Sequence, residues 1–135
     1  YSLNAVAHGE LGMWAAIAGQ FGVPMVYLCG DKAACLEAQA LIPGITTTAV
    51  KEGRGRLRAA CRPVAQAQAA IQRDTAEAVR RIGRVSPYVL TMPATCELIT
   101  CRADHADTYD GRPGVLRVGA RTLRKEITDA RDMLV

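Results

Sequence analysis

A stretch of ten uncharged residues, 11–20 (LGMWAAIAGQ), places the tightest constraint on how this chain can fold. Read as a helix, the stretch is apolar around its whole circumference, and such a helix has to be covered by protein. Its alanines favour helix, and Gly12 and Gly19 allow a neighbouring backbone to approach closely. The sequence therefore predicts a buried helix packed tightly on a sheet.

The segments that follow alternate between strand and helix patterns. A short apolar run at 23–29 (VPMVYLC) is typical of a strand covered on both faces, and Asp31 is placed to cap a helix over about 32–42. The β-branched run 46–50 (TTTAV) predicts a second strand. The order helix, strand, helix, strand indicates a crossover connection in a mostly parallel sheet.

The chain changes character after residue 50. Residues 51–62 (KEGRGRLRAACR) combine two glycines with five basic groups, and they predict a loop or lobe boundary. A long helix is predicted from Pro63 to about Ile82. Beyond it the patterns predict strands at 88–91 and 94–101, a short helix within 102–111 (RADHADTYDG), a hairpin turning at Gly119-Ala120, and a closing helix with Ile127, Ala130, Met133 and Leu134 inward.

We therefore expect an α/β fold with a three-layer, mostly parallel sheet portion over residues 1 to about 60, followed by a small α+β lobe over 61–135. The chain of 135 residues can bury one core or two small ones. No apolar run reaches the roughly 18 residues that a membrane span needs. The first residue is tyrosine, and the chain enters on what reads as the middle of a folded unit, which indicates processing or a fragment.

The cysteines and the charge define the expected surroundings of the chain. Five cysteines are an odd number and form no CxxC pair, so they are interpreted as buried free thiols of a reducing cytoplasm. The net charge is +4, and the six aromatic residues are scattered rather than interleaved with the basic ones. A solvated basic surface is thus favoured over a phosphate or nucleic-acid site built from Arg54, Arg56 and Arg58.

Glu10 stands at the start of the predicted buried helix, two residues after His8. The first-turn amides and the positive end of the helix dipole favour an ionised carboxylate there, and an oriented carboxylate is a suitable oxygen ligand for zinc. From the spacing alone, a simple helix cap is the better interpretation of Glu10. In an extended segment His8 would share a face with Glu10, but a buried and satisfied histidine is the better interpretation of His8.

The other candidate sites are weaker. Asp31 lies where open α/β sheets gather ligands, although an ordinary helix cap is favoured. Residues 51–58 match neither phosphate-binding glycine motif, so a flexible basic connection is favoured. A second metal site is conceivable in the sequence cluster after residue 102, but such a cluster is usually a solvated face. Its members are Asp104, His105, Asp107 and Asp110.

Several motifs taken together resemble the zinc-dependent D-aminopeptidases named after the dipeptide-transport operon. The similarity covers essentially the whole chain, and its core is Glu-x-Gly, a small-residue helix, GVP, a strand and GD. The matching segments are Leu3-Asn4, His8 to Gly12, Ala15-Ala16, Ala18-Gly19, Phe21 to Pro24, Gly30-Asp31, Val50 to Gly53, Pro93 to Thr95, Pro113 to Val115 and Gly119 to Thr122.

The resemblance implies that this chain is the C-terminal half of such an enzyme. Two zinc ions in the family are held by an Asp-x-Glu near the N-terminus, two histidines and a glutamate in the segment matching GELG, which is Glu10 here. The other ligands and a catalytic histidine are expected in a missing N-terminal half. His8 is outside the family pattern, and this chain alone is expected to be inactive.

The resemblance implies a cytoplasmic zinc aminopeptidase that removes N-terminal D-amino acids from short peptides by hydrolysis. The family forms a ring-shaped homodecamer, so residues 1–60 would belong to the catalytic α/β domain and residues 61–135 would supply subunit contacts. Neither nucleic acid nor membrane is an expected partner. The alternative is a non-catalytic oligomerising or ligand-binding α/β module on the same scaffold.

Overall fold

The computed structural model describes residues 1–133, which form two compact units. One unit is continuous, Glu10–Val89, and the other combines Tyr1–Gly9 with the chain from Leu90 onward. The described residues contain eight strands and four α-helices. In chain order these are β1 (Ser2–Leu3), β2 (Val6–Ala7), α1 (Glu10–Gln20), β3 (Tyr27–Asp31), α2 (Lys32–Leu41), β4 (Thr46–Gly55), β5 (Arg58–Cys61), α3 (Val64–Arg80), β6 (Ala94–Ile99), α4 (Ala103–Asp107), β7 (Leu116–Gly119) and β8 (Thr122–Ile127).

A three-stranded sheet in the order β3-β4-β5 organises the continuous unit. β3 and β4 are parallel, with Leu28 opposite Thr47, because α2 forms the crossover between them. β4 and β5 are antiparallel, with Lys51 opposite Cys61. The predicted α/β class is confirmed, and the described sheet has one parallel and one antiparallel pairing.

Helices cover both faces of this sheet. Gln39 of α2 donates a hydrogen bond to Thr47 at 2.8 Å, and Thr48 donates one to Asp74 of α3 at 2.8 Å. Since successive strand residues point to opposite faces, α2 and α3 lie on opposite sides of β4. The contact with α3 is the reason that residues 61–89 belong to this unit, whereas the sequence placed a boundary near residue 60.

The core of the continuous unit lies between α1, α2 and the sheet. Its buried members are Leu11, Ala15, Ala38, Ile42, Ile45 and Val85. Gly19 is seated against the main chain, because a Cβ there would lie 1.9 Å from the Tyr88 carbonyl oxygen. The predicted tight packing of this helix is confirmed. Its coverage on every side is not, since Trp14 is 58% exposed.

The second unit is an antiparallel sheet in the order β2-β1-β6-β8-β7. The β1–β2 hairpin turns at Asn4 and Ala5, whose φ angles of +50° and +65° lie in the left-handed region. Asn4 fixes this turn: its side chain donates to the Thr91 carbonyl at 3.0 Å and accepts from the Thr95 amide at 2.9 Å. This pairing joins residues 1–9 to a sheet whose other strands are β6, β7 and β8.

Four local predictions are corrected by the structure. Residues 51–62 form a hairpin of β4 and β5 rather than a loop, because β4 continues through Gly55. Residues 88–91 form no strand, and the Thr91 carbonyl accepts a hydrogen bond from the Asn4 side chain. The strand predicted over 94–101 ends at Ile99. The closing helix is one 3-10 turn, Ala130–Asp132, and the predicted inward residue Leu134 lies outside the described residues.

All five cysteines are free, as expected, but only two are buried. Burial raises the pKa of the Cys35 and Cys96 thiols. Cys29, Cys61 and Cys101 are exposed, so the prediction of buried thiols is wrong for them. Of the helices in residues 1–133, none has both the length and the apolar character that crossing a membrane requires.

Candidate metal centre

Two helices start at the carboxyl-terminal edge of the three-stranded sheet, which is the edge where the parallel strand β3 ends. α1 leads into β3 through residues 21–26, so the start of α1 lies at the edge where β3 ends. α2 begins directly after β3 and therefore starts at the same edge. Both helix N-termini thus lie at the carboxyl ends of the parallel strands, which is where open α/β sheets bind ligands.

Glu10 is the first residue of α1 and is exposed at this edge. The helix behind it is fixed, because Leu11, Ala15 and Ala16 are buried and Gly19 fits against the main chain. Glu10 therefore offers a solvent-exposed carboxylate at the start of a fixed helix, and a carboxylate oxygen is a donor suited to a divalent metal ion.

Asp31 caps α2, as predicted, and it also ties two strands together. One carboxylate oxygen accepts from the Ala33 amide at 2.7 Å, and the other accepts from the Gly53 amide at 2.9 Å. The second hydrogen bond fixes β4 beside the end of β3. Because both oxygens are held by main-chain amides, Asp31 is an anchor of this edge, which agrees with the interpretation as a cap.

Glu52, the neighbouring carboxylate on β4, is already paired with two basic side chains. Glu52 lies 3.7 Å from the Lys32 ammonium and 3.3 Å from the Arg54 guanidinium. These ion pairs are solvent-exposed, so each contributes little to stability. They leave Glu10 as the carboxylate of this edge with the clearest capacity to accept a metal ion.

His8 belongs to the other unit and is 5% exposed. Its Nδ1 lies 2.7 Å from the Val6 carbonyl oxygen. A carbonyl oxygen can only accept, so Nδ1 carries the proton in this contact. This agrees with the interpretation of His8 as a buried and satisfied histidine.

The acidic cluster around α4 is not a metal site. Asp104 pairs with Arg102 at 2.8 Å, while Asp107 and Asp110 pair with Arg117 at 2.5 and 3.2 Å. These hydrogen bonds, that of Asp107 first, raise the pKa of the Arg117 guanidinium. Within residues 1–133, no three His, Cys, Asp or Glu side chains are arranged to hold a metal ion. This part of the protein therefore offers Glu10 as a single candidate ligand.

Comparison with known proteins identifies the scaffold. The fold defines an α/β protein in which an exposed carboxylate, that of Glu10, stands at the start of a packed helix. The chain belongs to the D-aminopeptidase family, whose model matches residues 1–135. The predicted resemblance is thus confirmed.

A similar sequence and a similar solved structure both come from Bacillus subtilis. The D-aminopeptidase of strain 168 is 32% identical over 135 residues, which are 99% of this chain and 48% of that protein. The structure of the Zn-dependent D-aminopeptidase DppA, a self-compartmentalizing protease, matches with a TM-score of 0.86 and 28% identity. That match covers 96% of this chain and 47% of DppA. The chain spans about half the length of the relatives it matches.

The β4–β5 hairpin next to this edge was not predicted from the sequence. All residues of β5 are exposed, so no alternation of apolar and polar residues indicated a strand. The usable signal was the pair Gly53 and Gly55 within a basic segment that directly continues a β-branched run. Glycines at such positions are compatible with an irregular hairpin as well as with a loop.

Proposed function

We propose that the protein carrying this chain is a zinc-dependent aminopeptidase that removes N-terminal D-amino acids from short peptides. Membership of the D-aminopeptidase family and likeness to a Zn-dependent D-aminopeptidase support this proposal. The observation that carries it is the position of Glu10, exposed at the start of a fixed helix and at the ligand-binding edge of the sheet.

In this proposal Glu10 is one zinc ligand, and the protein holds two zinc ions per subunit. Bound zinc would supply Lewis acidity toward the scissile carbonyl and toward water. The contribution of this chain is placement: the packed face of α1 fixes the backbone position from which the Glu10 carboxylate would reach the metal ion. The other ligands and the catalytic group are proposed to come from the part of the family's length that this chain does not span.

The proposed assembly is a ring-shaped homodecamer in the cytoplasm, with residues 61–135 supplying subunit contacts. DppA is a self-compartmentalizing protease, which supports an oligomer that encloses its active sites. Size-exclusion chromatography with light scattering on the full-length protein measures the subunit number directly. A monomer at working concentration would contradict this part of the proposal.

Glu10→Gln in the full-length protein tests the metal ligand. The amide keeps the size of the side chain and removes its charge, so we expect less than the wild-type zinc content and a fall in kcat/KM toward a D-alanyl dipeptide of about 100-fold or more. Asp104→Asn is the matched control, because Asp104 pairs with Arg102 on an exposed surface. The control should retain both zinc and activity.

A non-catalytic module on the same scaffold is the second candidate function. The lack of three converging metal-binding side chains within residues 1–133 favours it over an enzyme complete in this segment. The same assay separates the two functions. Wild-type protein that binds no zinc and hydrolyses no dipeptide would favour the module, whereas full zinc and normal turnover in Glu10→Gln would remove Glu10 from the metal centre.

A further inference from the structure

The net charge of the chain is concentrated in the β4–β5 hairpin. Residues 51–62 contain five of the 17 basic residues and one of the 13 acidic residues, so the remaining 12 of each sign balance. The whole net charge of +4 therefore lies in this hairpin. A local charge of this size attracts anionic partners at ordinary ionic strength.

The outer edge of β5 presents main-chain hydrogen-bonding groups. The Arg62 amide donates to the Val50 carbonyl at 2.8 Å, and Lys51 lies opposite Cys61. This bond makes Val50 and Arg62 a hydrogen-bonded pair. Such pairs alternate with non-hydrogen-bonded pairs in antiparallel strands, so Lys51–Cys61 and Gly53–Ala59 are non-hydrogen-bonded pairs. The N–H and C=O groups of Ala59 and Cys61 therefore point away from β4. The Gly53 amide, which points to Asp31 on the other side, agrees with this assignment. No strand within residues 1–133 pairs with this edge.

The side chains around this edge leave it open. Ala59 and Ala60 are small and exposed, and Leu57 at the hairpin end is 92% exposed. Arg54 pairs with Glu52, while no described carboxylate lies within ion-pair distance of Arg56 or Arg58. Charged residues on an edge strand prevent pairing with an identical edge, because like charges repel. The same arginines attract a strand that carries carboxylates.

We propose that the free edge of β5 binds an extended acidic segment of another polypeptide. The segment adds as a strand through the main-chain groups of Ala59 and Cys61, its carboxylates face Arg56 and Arg58, and an apolar residue covers Leu57. Nucleic acid fits this surface less well, since residues 51–62 contain no aromatic side chain for base stacking. A second copy of the chain would bring the same positive charge.

The probe is a fluorescent ten-residue peptide of alternating Glu and Val, N-acetylated so that an aminopeptidase cannot shorten it. Binding to the full-length protein is followed by fluorescence anisotropy at low and high salt. A second peptide carries N-methyl groups on alternate amides, which removes strand pairing without changing the charge. We expect measurable binding of the first peptide, about tenfold weaker at 0.5 M salt than at 0.05 M, and no binding of the methylated peptide.

Two variants divide the contributions of charge and edge. Arg56→Gln should weaken binding about two- to fivefold, as expected for an exposed ion pair, whereas Arg84→Gln outside the hairpin should not change it. Ala59→Pro removes an outward N–H and keeps the pairing with β4, so it should weaken binding at least fivefold with an unchanged circular dichroism spectrum.

Three results would overturn the proposal. Equal binding of the methylated peptide would exclude strand addition. Binding of single-stranded nucleic acid that depends on Arg56, with no binding of the acidic peptide, would assign the surface to nucleic acid. Loss of oligomer in Ala59→Pro, again without peptide binding, would assign the edge to a second copy. Failure of zinc binding or peptidase activity affects none of these measurements.

Discussion

Alanine at position 19 should destabilise the protein, because α1 is seated directly on the main chain at Tyr88. A Cβ on residue 19 would lie 1.9 Å from the Tyr88 carbonyl oxygen and 2.6 Å from the carbonyl carbon. Neither atom can yield without a backbone shift. Overpacking of this kind costs roughly 3 kcal/mol, and the better helix propensity of alanine offsets about 1 kcal/mol of that cost. The expected net loss in the free energy of unfolding is about 2 kcal/mol.

Urea denaturation followed by far-ultraviolet circular dichroism measures this loss. With a typical dependence on urea of about 2 kcal/mol per molar, the midpoint of Gly19→Ala should fall by about 1 M. Gly83→Ala is the matched control, because a Cβ at Gly83 meets nothing within 4 Å. Its midpoint should stay the same or rise slightly, since alanine restricts the unfolded chain more than glycine does.

The two variants together distinguish a specific contact at residue 19 from a general effect of an added methyl group. A Gly19→Ala midpoint equal to that of the wild type would refute the close seating of α1 on Tyr88. It would also weaken the case for Glu10, whose direction depends on a fixed helix. Equal losses of stability in both variants would show that the protein tolerates added methyl groups poorly in general. The contact between residue 19 and the Tyr88 main chain would then not explain the loss.

Two further predictions concern carboxylates that hold the continuous unit together. Asp31 accepts hydrogen bonds from two amides, and Asp31→Asn leaves one oxygen to accept both. We expect the free energy of unfolding, measured by urea denaturation, to fall by about 1–2 kcal/mol. The exposed control Asp104→Asn should lose less than about 0.5 kcal/mol. Hydrogen bonds from Arg73 and then Thr48 lower the pKa of Asp74. Its ionised form therefore stabilises the fold above about pH 4, and the stability difference between wild type and Asp74→Asn should shrink as the pH falls below that value. A difference that stays constant down to pH 2 would contradict the assignment.

The sequence predicted the elements whose burial leaves a pattern. The uncharged run of α1 and the Asp31 cap of α2 were predicted, because each follows from local composition or spacing. The turn between β7 and β8 was predicted one residue early, at Gly119-Ala120 instead of Ala120-Arg121. β1, β2 and β5 were not, since each is two to four residues long and is defined by pairing with a partner. Pairing over long separations leaves no periodic trace in the sequence.

The candidate site was predictable only in part. Spacing and the helix dipole favoured a carboxylate at the start of α1, where Glu10 stands, but the same facts describe a helix cap. The family resemblance supplied the metal role. The bond between Asp31 and Gly53 spans 22 residues and depends on the register of β3 and β4, so no local motif could reveal it. Likewise, the ion pairs that occupy the cluster near α4 depend on Arg117 of a later strand.

The order of synthesis sets the order in which the two units can form. The hydrogen bond between Asn4 and the Thr95 amide joins residues 91 apart, so a ribosome completes Glu10–Val89 before β6 exists. Until then β1 and β2 have only each other within the described chain, and an isolated two-stranded hairpin is marginally stable. Pairing β1 with β6 closes a long loop of the chain, and the entropy lost in closing that loop opposes and slows the pairing. We therefore expect the five-stranded sheet to form last, after the unit that carries Glu10 has become compact.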